Sequence, residues 1–337
     1  QFKFKPTLYL LGRIIIFTLV NSYLQYLSKK SSIITVLIAC FSLIAIKFNS
    51  LNLPHFWDEA FPYSYAINYM TENGPSIFSD GAPSILTTGH PLFYYYLQAT
   101  WNSIVGESMA LQRTLPLLLS ILVLIFTYLV GKSMFNEKIG AGATLLLLGQ
   151  NIFLAQAAFQ LPEILMTLLF LSSIYYRIEK KNLGFIISSL LLLITKEPAI
   201  VLLGILFLYD FFILKKEFIL KRKIINSWVY IIPVLFMIGF YFHQYIVQGW
   251  VLFPRHVGFM RFDWSHYFNQ FSRYFSFTFI FHGRNALFFL TLIIGGIAIA
   301  KRKTIEKSKN SGNIFLISIL FLFLIVSAVN FYSNRYI

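Results

Sequence analysis

The sequence has few charged residues, very few acidic residues, and a single cysteine. Only 12% of its 337 residues are charged, and 13 residues are Asp or Glu. Soluble domains carry about 25% charged residues, so an ordinary soluble protein is excluded. The lone Cys40 lies within an apolar segment. An intrachain disulfide is therefore excluded, and cysteine usage does not indicate the redox compartment.

Apolar and aromatic residues are abundant instead. The chain is 57% hydrophobic, with 37 Phe and 20 Tyr, and its mean hydropathy is +0.69. These values predict a polytopic membrane protein. The net charge of +15 would suit a nucleic-acid partner if it formed one stripe. The basic residues instead stand in short clusters between apolar runs, so we interpret them as topology signals and expect no nucleic acid.

The apolar runs predict an all-α membrane bundle. A helix needs about 20 apolar residues to cross the hydrocarbon, because every backbone polar group must be paired internally there. Residues 1–30 are polar enough to be either an interfacial segment or an extra span. Residues 31–337 form the transmembrane domain, whose C-terminal part we expect to be missing or short. The predicted spans are 33–50, 109–131, 139–157, 164–178, 183–195, 199–214, 227–247, 285–300 and 312–332.

The distribution of Lys and Arg predicts the orientation of these spans. Basic residues concentrate in one set of alternate loops, as in the run 215–223, and are sparser in the opposite set. Because positively charged loops stay in the cytoplasm, we expect a multi-pass protein of the cytoplasmic membrane. Loops 51–107 and 248–285 then face outward, and the adjacent acids Asp58 and Glu59 lie on the outer side.

The first outer loop has helical signals of its own. Asp58 is a possible N-cap for a helix that ends at Asn73-Gly74, and a second helix is predicted from Pro91 to the residue before Gly106. Both helices are too short to span a bilayer and are rich in aromatic residues. We expect them to lie on the membrane surface, where amphipathic rings are favoured.

Two of the predicted spans, 183–195 and 199–214, are unusually short. Only Lys196, Glu197 and Pro198 separate them, and basic residues stand at both other ends. The pair is therefore predicted to be a hairpin whose tip lies below the outer surface. Lys196 is then placed to contact an anionic lipid phosphate, although it could equally neutralise Glu197.

Asp58 and Glu59 are the leading catalytic candidates. An acid at the outer membrane surface can act as a general base, and both acids can also serve as helix caps. Side chains one residue apart on a helix diverge by about 100 degrees. One acid is therefore expected to act as the base, Asp58, while the other positions it or contacts substrate.

Other polar residues at the predicted outer ends of spans complete the candidate site. Glu163 follows Pro162 at a helix start, where it is either a catalytic acid or a cap. No two histidines have a spacing typical of metal ligands, so we predict no metal and no cofactor. The predicted substrate-binding residues are His90, Arg113, Lys196, Glu197 and Arg255.

The order of these motifs resembles that of the GT-C membrane glycosyltransferases. An outward Trp-Asp-Glu at 57–59 precedes Gly-His-Pro-Leu-Phe-Tyr-Tyr at 89–95, Arg113, Leu-Pro-Glu at 161–163 and Thr-Lys-Glu-Pro at 195–198. The chain is most similar to the group of protein mannosyltransferases and aminoarabinose transferases. The likeness is best over residues 33 to about 214, with a weaker echo at 334–336.

The resemblance implies an inverting sugar transfer from a polyprenyl phosphate to an outer acceptor, which is protein, lipid or glycan. The base or acceptor-orienting acid of that family corresponds to Asp58, its second acid to Glu163, and its hairpin lysine, the donor-phosphate contact, to Lys196. Membrane lipids, and a complex with other membrane proteins, are the further expected partners. The alternatives are a flippase for lipid-linked sugars and a noncatalytic scaffold.

Overall fold

A computed structural model describes residues 30–87, 89–106, 108–213, 228–257, 264–281, 286, 289–290 and 292–293. Within these ranges every regular element is a helix, and none is a strand. The all-α membrane class predicted from composition is confirmed. The predicted segment 1–29, most of the span 285–300, the span 312–332 and the motif 334–336 lie outside the described residues.

The helices are numbered in chain order. One 3₁₀ turn, Trp57–Glu59, precedes the helices of the first outer loop. The helices are α1 (Lys30–Phe48), α2 (Tyr63–Asn73), α3 (Ser84–Thr87), α4 (Phe93–Val105), α5 (Met109–Gln112), α6 (Thr114–Met134), α7 (Glu137–Leu148), α8 (Asn151–Gln156), α9 (Pro162–Ile178), α10 (Asn182–Leu193), α11 (Ala199–Ile213), α12 (Trp228–Gln248), α13 (Pro254–Val257) and α14 (Trp264–Phe279).

Three segments in the described part of the chain are long and apolar enough to cross a membrane. They are Lys30–Phe48, Met109–Met134 and Trp228–Gln248, while α10 and part of α11 are shorter apolar helices. The two short helices predicted from 183 to 214 are therefore confirmed, while the position of the tip between them below the outer surface stays a prediction. The single helix predicted over 139–157 is wrong, because the chain breaks between α7 and α8 at Gly149 and an extended Gln150.

The bundle is built by successive packing of its helices. Helix α6 packs against α7 and α9, α9 packs against α10, and α10 packs against α12. At the α6–α7 contact, a Cβ on Gly131 would lie 2.7 Å from the Cα of Gly140. Small residues allow this close approach of two backbones, as is common between membrane helices.

One end of the bundle carries a polar cluster that joins α9, α11 and α12. Arg177 donates a hydrogen bond to Asp210, and the Tyr230 hydroxyl donates to the same carboxylate at 2.6 Å. The Arg177 guanidinium also lies over the Phe185 ring of α10. We call this the inner end, after the charge-based orientation, and the opposite end, which holds residues 49–63 and 194–198, the outer end.

The first outer loop folds as two helices that pack together, α2 and α4. Both end at the predicted glycines, Gly74 with φ +99° and Gly106 with φ +97°. A positive φ is costly for any residue with a Cβ, so glycine stops a helix there. The predicted N-cap role of Asp58 is wrong: α2 begins at Tyr63 with Pro62 as its N-cap, and Asp58 belongs to the separate 3₁₀ turn.

Candidate active site

Glu59 and Arg113 form a buried ion pair at the outer end. Their side chains are 0% and 1% exposed. Arg113 donates from Nε to Glu59 Oε1 at 3.1 Å and from Nη2 to Oε2 at 2.6 Å. It also donates to the backbone carbonyls of Ser50 and Pro54. The pair therefore joins the 3₁₀ turn, and the chain that follows α1, to the outer end of α6.

The surroundings of Glu59 keep it ionised. Burial alone would raise the pKa of its carboxyl, but contacts with the side chains of His55 and Arg113, and a hydrogen bond from the Gln160 amide, lower that pKa below its usual value. The Gln160 N–H donates to Glu59 Oε1 at 3.0 Å. Asp58, the next residue back along the chain, is half-buried. The two adjacent acids therefore have different surroundings.

A buried amide network continues from Glu59 into α4. Gln160 Nε2 donates to Gln112 Oε1 at 3.0 Å, and Gln98 Nε2 donates to the Gln112 carbonyl at 2.8 Å and to Asn102 Oδ1 at 2.9 Å. All four amide side chains are buried. Buried polar groups that pair with one another fix a single arrangement of their helices, so this network sets α4 against α5 and against the connection before α9.

Glu163 and Lys196 form a second ion pair, between the start of α9 and the hairpin tip. Lys196 Nζ donates to Glu163 Oε1 at 2.5 Å, and the two side chains are 9% and 23% exposed. The other carboxylate oxygen, Glu163 Oε2, is buried and accepts no hydrogen bond within the described part of the chain. That oxygen is therefore suited to accept a hydrogen bond from a bound hydroxyl.

His90 and Glu197 form a third pair beside the second. His90 Nδ1 lies 2.8 Å from Glu197 Oε2, and both side chains are mostly buried. Burial would raise the pKa of Glu197, but His90 and Lys196 lower it below its usual value. His90 also lies within electrostatic range of Glu163. The hairpin tip and the 89–95 segment thus meet at one polar site.

Tyrosine side chains of the outer loop lie near these pairs. Burial, followed by the carboxylates of Glu59 and Glu163, raises the pKa of Tyr94 well above its usual value. Tyr94 is therefore within electrostatic range of both acids. The Tyr63 ring stacks on Tyr95 at 5.2 Å and faces His90 at 6.4 Å. The site is consequently bounded by aromatic rings on the side of α2 and α4.

The chain after α12 covers the outer-loop side of this site. Gly89 has φ +73°, and a Cβ there would lie 2.5 Å from the Phe253 Cβ and 2.9 Å from the Trp250 ring. The loop also contacts the outer end of α12, where Ser79 Oγ lies 3.2 Å from His243 Nδ1. We call Trp250–Phe253 the cover segment. Gly89 lets it approach the backbone next to His90.

The structure brings most of the predicted site residues to the outer end. Glu59 and Arg113 meet on one side of it, with Asp58 next to Glu59 in the same turn, and the other pairs meet at the hairpin tip. Arg255 lies in α13, and its side chain is outside the described part of the chain. Among the described residues, no group of three or more His, Cys, Asp or Glu is arranged to hold a metal ion. The functional roles of the predicted residues stay predictions.

Several residues of the site were not predicted from the sequence. Gln98 and Asn102 stand one helical turn apart in α4, and this spacing of two amides was a usable signal. The aromatic residues of α4 are predicted to lie at the membrane surface, yet Tyr94 and Tyr95 are fully buried. Gln160 carried no signal, because its partners Glu59 and Gln112 lie far away in the chain.

Comparison with known proteins gives a match for the part of the chain that contains the hairpin tip. No curated protein and no solved structure matches the chain. A protein-family model of mannosyltransferases matches just under half of the chain. This match agrees with the resemblance to protein mannosyltransferases that the sequence motifs indicated. Asp58 and Glu59 precede the matched residues. Residues 89–246, which include all three of His90, Glu163 and Lys196, are therefore similar to the family described as Dolichyl-phosphate-mannose-protein mannosyltransferase.

Proposed function

We propose that the protein is a membrane glycosyltransferase that moves a sugar from a polyprenyl phosphate to an acceptor hydroxyl on the outer face of the cytoplasmic membrane. The observation that carries this proposal is the meeting of two charge pairs, Glu163–Lys196 and His90–Glu197, at the outer end. Both pairs belong to the segment that is similar to the mannosyltransferase family. Buried charged groups at a membrane edge are expensive to maintain and are typical of functional sites.

The reaction needs one base and one group of cationic contacts. The acceptor oxygen bonds to the anomeric carbon from the face opposite the phosphate, so the configuration inverts. The bond from that carbon to the phosphate oxygen breaks, and polyprenyl phosphate leaves with the bonding electrons. The hydroxyl proton passes to Asp58, a half-buried carboxylate that can act as general base.

Lys196 is the residue we assign to the leaving phosphate. A lysine ammonium carries three N–H donors, and one of them is directed to Glu163. Charge-assisted hydrogen bonds from such a group stabilise the negative charge that develops on the phosphate. Arg113, which is held by Glu59 and two backbone carbonyls, is better suited to positioning the Asp58 turn than to binding the donor.

Glu163 is the residue we assign to orienting a hydroxyl. Its Oε2 atom is buried and has no hydrogen-bond donor in the described ranges, so a sugar hydroxyl would supply the missing donor. The ion pair with Lys196 keeps Glu163 ionised beside the phosphate site. Holding donor and acceptor together in this way would lower the entropic cost of the transfer.

The test of this proposal is transfer of labelled sugar from a polyprenyl phosphate by the purified chain in nanodiscs. Asp58→Asn removes the base and keeps the shape of the side chain, so we expect the rate to fall about 10²- to 10⁴-fold. Glu72→Gln, at an exposed acid of the same outer loop, is the control and should transfer at the wild-type rate. Full transfer by Asp58→Asn would exclude the base assignment, and no transfer by the wild type from any polyprenyl-phosphate sugar would exclude the function.

A further inference from the structure

The connection between α8 and α9, residues 157–161, is largely buried. Ala157 and Gln160 are 0% and 1% exposed, whereas most loops run over the surface because their backbone polar groups need water or another partner. In this connection the partners come from other segments of the chain. Ser120 Oγ of α6 donates to the Ala157 carbonyl at 2.9 Å, and Gln160 donates hydrogen bonds to two further segments.

Gln160 is held by both its backbone and its side chain. The backbone N–H donates to Glu59 Oε1 at 3.0 Å, and the side-chain Nε2 donates to Gln112 Oε1 at 3.0 Å. Glu59 belongs to the 3₁₀ turn, and Gln112 belongs to α5. Rotation of Gln160 would break these bonds, and a buried donor without an acceptor is costly. The side-chain bond therefore fixes the direction in which the backbone N–H meets Glu59.

The link from Gln160 to Glu163 is short and stiff. Leu161 has an extended backbone, with φ −130° and ψ 147°, and Pro162 is the first residue of α9. The proline ring fixes its own φ and also restricts the residue before it. Glu163 follows in the first turn of α9. The placement of Gln160 therefore restricts where the backbone of Glu163 lies.

Asp58 stands at the other end of the same link. It is bonded to Glu59 within the 3₁₀ turn. The turn is closed by two hydrogen bonds, from the Glu59 N–H to the Phe56 carbonyl at 3.2 Å and from the Phe56 N–H to Glu59 Oε2 at 3.2 Å. Because the Glu59 carboxylate takes part in closing the turn, holding that carboxylate holds the turn. The hydrogen bond from Gln160 to Glu59 does so across 101 positions of the chain.

We propose that Gln160 is a positioning residue of the transferase and that it fixes the Asp58 turn against the start of α9, which carries Glu163. This inference rests on the proposed function and adds one residue to its machinery. Gln160 acts through Glu59 and through the chain that leads into α9, not by touching substrate. Sugar transfer needs the base and the oriented hydroxyl in one relative placement, and a misplacement of about 1 Å can slow a reaction about 10²-fold.

A purely structural role for Gln160 has a different signature, and Ser120 supplies the matched control. The Ser120–Ala157 hydrogen bond is equally buried and joins α6 to the same connection, three residues before Gln160. A bond that only stabilises the connection contributes to the melting temperature and not to the rate. Ser120→Ala is therefore expected to lower the melting temperature and to leave kcat unchanged.

Steady-state kinetics of Gln160→Met in nanodiscs test the positioning role. Methionine is similar in length to glutamine and flexible, but its thioether cannot donate a hydrogen bond to Gln112. We expect kcat to fall about 10- to 100-fold at a melting temperature close to that of Ser120→Ala. The KM for the polyprenyl-phosphate donor should stay unchanged, because the donor phosphate is assigned to Lys196 at the hairpin tip.

Hydrogen exchange measures the same link without turnover. In the wild type, mass spectrometry of the peptide that covers residues 56–61 reports the amides that close the 3₁₀ turn. Gln160→Met is expected to speed exchange in this peptide, and Ser120→Ala should leave it unchanged. Gln112→Met removes the acceptor of the same side-chain bond. It should reproduce the effects of Gln160→Met and replaces that variant if it does not fold.

The two measurements separate this inference from the proposed function. Wild-type exchange at residues 56–61 in the methionine variants would overturn the inference. An unchanged kcat in an active enzyme, or an equal loss of kcat in Ser120→Ala, would also overturn it and leave the transferase standing. Faster exchange in the methionine variants of a chain that transfers no sugar would exclude the transferase and leave the positioning of the turn by Gln160 supported.

Discussion

Asp58 and Glu59 are adjacent in the chain but have different environments. In the 3₁₀ turn Glu59 faces Arg113 and is fully buried, Asp58 is half-buried, and Trp57 is half-exposed. Three successive side chains thus face the protein interior, its edge and its surroundings. This divergence was expected from the geometry of one turn, but the inward direction of Glu59 depends on a residue that lies more than fifty positions later.

The buried ion pair makes a prediction about stability and pH. Glu59→Gln leaves Arg113 buried without a counter-charge and is expected to cost about 3–5 kcal/mol at neutral pH. The native contacts lower the pKa of Glu59. The ionised Glu59 carboxylate therefore stabilises the fold fully above the ordinary carboxyl pKa of about 4.3. This stabilisation is lost as the pH falls through the lower pKa that Glu59 has in the folded state.

Thermal melting in nanodiscs from neutral pH down to about pH 3 measures this effect. The gap in melting temperature between the wild type and Glu59→Gln should narrow below about pH 4. Glu72→Gln, at an exposed acid, should have the same melting temperature as the wild type at neutral pH. A gap that stays constant on acidification would show that the Glu59 charge does not stabilise the fold.

At the scale of elements, the site is made where three segments meet. Helix α4 begins next to the hairpin tip, where the Phe93 amide donates to the Ile194 carbonyl at 3.3 Å. The start of α9 supplies Glu163, and the cover segment approaches Gly89. The shortness of the two hairpin helices places Lys196 and Glu197 at a level where Lys196 contacts Glu163 at the start of α9 and Glu197 contacts His90 of the outer loop.

The contact between Gly89 and the cover segment can be tested by adding one methyl group. Gly89→Ala would place a Cβ 2.5 Å from the Phe253 side chain at a φ of +73°, so it combines backbone strain with a clash. Gly74→Ala is the matched control, since φ is +99° and no described residue has an atom within 4 Å of the added Cβ. We expect a loss of about 1 kcal/mol from strain in both. A further loss of stability and activity should appear in Gly89→Ala alone, measured by melting and sugar transfer. Equal losses in the two variants would mean that the cover segment adjusts freely.

At the scale of the whole molecule, two polar clusters hold opposite ends of the bundle. The Arg177–Asp210–Tyr230 cluster joins three helices at the inner end, and the charge pairs of the candidate site join the helices to the outer loop. Between them the contacts in the described helices are mostly apolar, with a few hydroxyl bonds such as Ser173 to Ser188 at 3.0 Å. We therefore expect a reaction at the membrane surface rather than transport of a polar molecule through the bundle.

The predicted orientation is testable by labelling single cysteines. The one native cysteine, Cys40, is buried and can be replaced by Ala. In that background, Glu72→Cys in the outer loop should react with a membrane-impermeant maleimide on intact cells. Lys181→Cys, in the turn between α9 and α10, should react only after the membrane is opened. Both positions are exposed, so the reverse pattern would invert the topology and remove the outer acceptor.

The sequence by itself was sufficient for features that depend on local patterns. Long apolar runs predicted the all-α bundle, the spacing of residues 196–198 predicted the hairpin, and Gly74 and Gly106 predicted helix ends. These features follow from backbone hydrogen bonding, burial and φ preferences, which act over a few residues. The same local reasoning failed at the Asp58 cap, because the next residue, Glu59, is held by the distant Arg113. It also failed for the span 139–157, which breaks at Gly149 and Gln150.

Only the tertiary structure decided which charged groups pair. Glu59 with Arg113, Glu163 with Lys196, and His90 with Glu197 are separated by 54, 33 and 107 positions in the chain. No periodicity links such residues, because a pair between distant segments depends on how whole helices pack. Burial then makes each pairing necessary, because a charged side chain that is removed from water is costly unless an oppositely charged partner lies next to it. The types of residue available to the site were thus determined by sequence, and their partners by the fold.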